Sequence, residues 1–125
     1  MMRLLGAELL AVEPGRVVIA APVRPETSQQ HGYAHAGLAW TIGDSAAGYS
    51  ALSLTGAGEE VLTSEMKIHL LAPAEGARLL AEGRILRAGR RLIVAAADVW
   101  AEDGDAPRRH IATMLGTMIP LRADR

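Results

Sequence analysis

The chain has 125 residues, half of them hydrophobic, which suits one compact domain with an apolar core and leaves no room for a second. A formal net charge of -1 excludes the broad basic field that binds nucleic acid or an anionic membrane, and the absence of cysteine excludes disulfides, thiolate catalysis and Cys-ligated metal. Glu8 and Glu13 interrupt the N-terminal segment where a signal peptide would need an unbroken apolar core, and no apolar run reaches the ~18 residues of a membrane span, so the chain reads as soluble and cytoplasmic.

The segment Leu4 to Val12 mixes apolar residues with Glu8, and Pro14-Gly15 after it marks a tight turn into a β-branched strand from Val17 to Val23, together a hairpin. Pro25 to Tyr33 is polar and reads as a loop. From Leu38 to about Leu54 the chain has no proline and no fully polar face, which predicts a long helix buried on most sides, with Gly56 and Gly58 as its stop signal. The period then changes: Leu62, Ser64, Met66, Ile68 and Leu70 alternate with Thr63, Glu65, Lys67 and His69, a strand with one wet face that ends before Pro73. Arg78 to Arg87, Leu92 to Trp100 and Arg109 to Ile119 are three further strands joined by short turns in an antiparallel meander. The expected architecture is α+β, with five to six antiparallel strands wrapped around one long helix in a single domain spanning residues 1–125.

Within the helix stands Asp44, whose neighbours three and four positions away are Trp40, Thr41, Ala47 and Gly48, none of which can neutralise it. An unpaired carboxylate in so apolar a segment costs several kcal/mol, roughly, if buried, so it needs a partner or a task. On a helical wheel Gly37, Thr41, Asp44 and Gly48 share one seam, along which a ligand or another backbone can approach. Gly43, Ala46, Ala47 and Gly48 are small enough either for close helix contact between two copies or for close packing of the helix on its own sheet.

These residues resemble the hotdog-fold acyl-CoA thioesterases of the phenylacetate-degradation type, relatives of the 4-hydroxybenzoyl-CoA thioesterases. That family carries His-Gly-Gly at the helix start and an acidic residue nine positions after the His; here His35-Ala36-Gly37 is followed by Asp44 at the same offset. Gln29 stands six residues before the His, Thr63 stands ten before Pro73-Ala74, and Gly89-Arg90 supplies the Gly-basic pair of the next hairpin, so the resemblance runs from about Leu5 to Ile119. The departure is Ala36 for Gly, which keeps the backbone N–H and adds a methyl group. The resemblance implies hydrolysis of acyl-CoA, without a cofactor, by a homodimer or tetramer.

Thioester hydrolysis needs a nucleophile or base, a donor for the oxyanion and a pocket that excludes bulk water. Asp44 would attack directly or draw a proton from water. The Ala36 N–H, at the positive end of the helix, would hold the oxyanion. Gln29 and Thr63 would orient water or carbonyl, and His35 would serve either as an acid or as a backbone-fixing group. Gly37, Thr41, Ser45 and Gly48 would line the substrate, and Arg87, Arg90 and Arg91 would meet CoA phosphates. Ala36 and Asp44 are eight positions apart, ~12 Å along a helix, so one thioester carbon cannot touch both within one chain. Two antiparallel copies would therefore share each site.

Other chemistries fit less well. His31 and His35 have helical metal-ligand spacing, but Gly32 lies between them and no third ligand is evident. No Gly-rich phosphate loop and no Gly-x-Ser-x-Gly elbow is present. The rival reading is a hotdog domain that binds acyl-CoA without turnover; a dehydratase would pair its Asp with a nearby His, and the next one after Asp44 is His69.

Overall fold

The computed structural model describes residues 1–122; residues 123–125 of the expected domain span lie outside the described residues. After a helical turn, α1 (Met2–Leu5), come β1 (Glu8–Glu13) and β2 (Arg16–Pro22), a 3-10 turn at Pro25–Thr27, the long helix α2 (Ala36–Leu52), and then β3 (Glu59–Leu70), β4 (Arg78–Ala88), β5 (Ile93–Glu102) and β6 (Arg109–Arg122). The six strands form one antiparallel sheet in the order β1-β2-β4-β5-β6-β3. α2 lies across one face of it, which is the α+β hotdog architecture.

The hairpin, the helix and the three-strand meander match expectation, and the structure adds or corrects four points. The opening segment begins with α1, closed by Gly6 at φ 66°, so the first strand starts only at Glu8. α2 begins at Ala36 rather than Leu38, because His35 caps it, and ends at Leu52. β3 does not join β4: α2 carries the chain across the sheet, so β3 pairs with β6 at the far edge while β4 pairs with β2. Finally, β3 does not keep one phase. The register slips between Thr63 and Glu65, leaving Ser64 as an extra residue, so Thr63 and not Leu62 faces the helix before the bulge and Met66 and Ile68 face it after. Leu62, in phase with Met66 in the sequence, is 58% exposed.

A core without phenylalanine closes by letting backbones approach. Ile42, Ala46 and Ala47 of α2 are fully buried, as are Val17, Leu79, Ala81, Ala95, Ala97, Val99 and Met118 of the sheet. A Cβ on Gly83 would run into the Ala46 backbone, and one on Gly43 into the Met114 sulfur, so these glycines set the helix-to-sheet distance. Gly43, Ala46 and Ala47 are thus consumed by packing on the sheet within one chain and are not free for contact between helices; Gly48 alone of the four stays half-buried. Nor is α2 closed on all sides, since Trp40 and Tyr49 are 39% and 40% exposed. Gly83→Ala should destabilise the fold by about 1–3 kcal/mol through overpacking, read as a lower urea midpoint at unchanged slope.

On the sheet's outer face Asp98 receives Arg84 at 2.5 Å and faces His110 Nε2 at 2.9 Å. Burial opposes its ionisation, but hydrogen bonds from Thr113, Arg84 and His110 outweigh that cost and hold the carboxyl below its ordinary 3.8. A depressed carboxyl contributes stability above its unfolded pKa and loses it as pH falls through the folded one. Stability should therefore drop as pH falls below about 3.8, and Asp98→Asn should flatten that part of the pH–stability curve.

Candidate active site

The start of α2 is built by His35. Its backbone is extended (φ -63°, ψ 143°), and its ring turns back so that Nδ1 accepts the Gly37 N–H at 2.8 Å. Gly37 permits this approach, since a Cβ there would sit 3.0 Å from Nδ1. The Leu38 N–H donates to the His35 carbonyl at 2.9 Å. Of the first three amides of the helix, only that of Ala36 has no intramolecular partner among the described residues. Accepting at Nδ1 requires that nitrogen to be unprotonated, so the contact made by His35 is the backbone-fixing one, and Gly37's N–H is not available to a ligand.

Ala36 opens onto a cavity of about 540 Å³ walled by Gln29, Tyr33, His35, Leu70, Pro73 and Ile111, among others. Gln29 reaches it from the turn after the 3-10 segment: its Oε1 accepts the His31 N–H, and its own N–H donates to the Tyr33 carbonyl at 2.8 Å. With the oxygen so engaged, the side-chain NH₂ is the group left to donate into the cavity. The arrangement offers two neutral donors, one of them at a helix start, and suits a developing oxyanion.

Asp44 lies elsewhere. It lines a second cavity, of about 210 Å³, with Ser45, Gly48, Tyr49, Leu52, Thr63 and Met118 among its walls. Thr63 Oγ1 donates to Asp44 Oδ1 at 2.7 Å, a contact that exists because the Ser64 bulge turns Thr63 toward the helix. The carboxylate makes no ion pair among the described residues. It is half-buried and oriented, with Oδ2 left for a reacting partner.

The expected site residues thus separate into two groups within one chain: Gln29, His35 and Ala36 at one cavity, Asp44, Thr63, Ser45 and Gly48 at the other. Thr41 joins neither; its hydroxyl donates back to the Gly37 carbonyl at 2.8 Å. Arg87, Arg90 and Arg91 are exposed at the β4–β5 hairpin and line neither cavity. That hairpin nevertheless stands at the Asp44 end of the sheet, because Ala88, Ile93, Met118 and Thr63 form one cross-strand row. Tyr33 and Tyr49, which border the two cavities, went unnoticed in the sequence, where neither stands in a recognisable spacing.

A hotdog sheet, a donor-lined helix start and a carboxylate on the same helix define a class of thioester-processing domains. Residues 31–107 match the Thioesterase superfamily, and the chain belongs to that family. A Saccharolobus solfataricus protein provisionally named an esterase is 30% identical over 102 residues, 82% of this chain and 72% of its own. Among solved structures, a thioesterase family protein from Silicibacter pomeroyi is 42% identical with TM-score 0.94, covering 98% of this chain and 89% of that one. A Bacillus halodurans protein solved with CoA is 25% identical with TM-score 0.76, covering 83% and 66%. The E. coli PaaI protein of the phenylacetic acid degradation operon shares the fold at 18% identity and TM-score 0.82, covering 96% and 83%.

His35→Ala should cost about 1 kcal/mol as a lost helix cap, measured by chemical denaturation. If His35 fixes the backbone only, His35→Asn, which can also cap, should restore most of that stability.

Proposed function

We propose that the protein hydrolyses acyl-CoA thioesters as a single-domain homodimer or larger assembly, each active site joining the Ala36 side of one copy to the Asp44 side of another. The observation that carries this reading is the separation just described: a free amide in one cavity and an oriented carboxylate in another, eight positions and ~12 Å apart along a rigid helix. β3 supports it. This 12-residue strand forms a sheet edge beside both cavities, and along residues 60–70 its outer side has no strand partner among the described residues, so a second β3 can add there.

In the joint site the thioester oxygen takes hydrogen bonds from the Ala36 N–H and the Gln29 amide. Asp44 of the partner subunit, held by its own Thr63, either attacks the carbonyl carbon or deprotonates a water that does. In the first route the C–S bond breaks, CoA leaves as the thiolate and is protonated, and water cleaves the mixed anhydride to free acid and Asp44. In the second the tetrahedral adduct collapses directly to acid and CoA. Gly37, Ser45 and Gly48 shape the space around the carbonyl. Arg87, Arg90 and Arg91, without ion-pair partners among the described residues, meet the CoA phosphates. The CoA held by the Bacillus halodurans structure supports that choice of thiol.

Ala36 offers an unusually clean test. It is the first residue of the helix, where proline is well tolerated, and His35 before it already has the extended backbone that proline demands. Ala36→Pro should delete the oxyanion donor with the helix intact and lower kcat about 10²–10³-fold. Asp44→Ala should lower it about 10²–10⁴-fold. Mixed and allowed to exchange, the two inactive variants should recover about a quarter of wild-type activity, because half the dimers are mixed and each has one intact site. No recovery in confirmed mixed dimers would refute the shared site; binding of acyl-CoA by a wild type that never releases thiol would favour the non-catalytic reading.

A further inference from the structure

β1 and the open side of α2 leave a groove between them. The register of β1 against β2 slips between Leu9 and Ala11, so Leu10 is an extra residue, and both Leu9, opposite Ile19, and Val12, opposite Val17, come to face the helix. Ile19 and Val17 are 1% and 0% exposed, as core-facing residues should be, yet Leu9 and Val12 on the same face are 56% and 62% exposed. Nothing among the described residues covers them fully. Two cavities of about 250 Å³ each run along this groove and share Leu9 and Tyr49 as walls. Tyr49 and Leu52 also wall the Asp44 cavity, so Tyr49 borders all three and the groove adjoins the cavity that holds the carboxylate.

We infer that this groove is the acyl-chain subsite and that the preferred substrates are thioesters of unbranched aliphatic acids. The inference rests on the proposed hydrolysis at Asp44. Asp44 to Leu52 spans ~12 Å of helix, and the walls of the groove beyond Tyr49 are mostly methyl and methylene groups. A flexible alkyl tail can turn past Tyr49 and bury its methylenes against that lining, whereas a rigid aryl ring attached at the carbonyl cannot bend to reach it. Dimerisation through β3 leaves the groove free, because β3 and β1 lie at opposite edges of the sheet.

The test is a chain-length series of straight acyl-CoAs, from acetyl to palmitoyl, with benzoyl-CoA as the aryl control, for wild type, Leu9→Trp and Val12→Trp. Wild-type kcat/KM should rise about three- to fourfold per added methylene until the groove is full, as expected for burial of each group. Both tryptophan variants replace exposed side chains, should fold normally, and should truncate that rise at a shorter chain. Variants that follow the wild-type profile at every length, a preference for benzoyl-CoA, or a change in subunit number caused by either tryptophan would overturn the inference. A fall of about 10²–10⁴-fold in thiol release by Asp44→Ala, measured on acetyl-CoA, keeps the underlying hydrolysis reading separately testable; a wild type inactive on the whole series would remove both.

Discussion

The stiffness of α2 governs the proposed chemistry. An α-helix cannot shorten, so an amide at its first residue and a carboxylate at its ninth stay about 12 Å apart whatever the side chains do. In the proposed reaction each group on its own is half a catalyst: a donor without a nucleophile or base, or a nucleophile or base with no means of stabilising the charge that develops. A reaction needing both within one carbonyl's reach must bring in another helix, and a two-fold axis does this with no new residues and yields two equivalent sites.

That helix is held where it is by glycines rather than by large side chains. Gly83 admits the Ala46 backbone and Gly43 admits the Met114 sulfur, so α2 sinks against the sheet on one side and leaves the other side, with Trp40, Asp44, Gly48 and Tyr49, open. Two bulges then aim the strands at that open side. The one at Ser64 turns Thr63 onto Asp44, and the one at Leu10 turns both Leu9 and Val12 toward Tyr49 and Leu52. Both the polar contact and the apolar groove depend on a single extra residue in an edge strand.

Those bulges mark where legibility in the sequence ends. The spacing of His35, Ala36 and Asp44, the apolar run of the helix and the separation of the two groups along it could all be read from the chain, because they are local or follow from helix rise. The hairpins could be read from Pro14-Gly15 and Gly89. An inserted strand residue leaves no mark in composition: Leu62 and Met66 share a parity, so the plain alternation assigned Leu62 to the interior and put Thr63 on the wet face. The role of His35 was half legible, since a histidine before a glycine at a helix start fits a cap as well as an acid. The pairing of β3 with β6 depended on which way the crossover helix carried the chain, and strand patterns do not encode that.

The two margins of the sheet are unlike. β1 has six residues, broken after its second and flanked by Glu8 and Glu13, whereas β3 offers twelve. A short, kinked, acidic border is a poor seam for another strand, and repulsion between glutamates would discourage two such borders from meeting. If association proceeds through the longer margin, it terminates after one round: each copy uses up its receptive side and presents an unreceptive one. The same asymmetry that permits a pair would therefore keep it from growing into a ribbon.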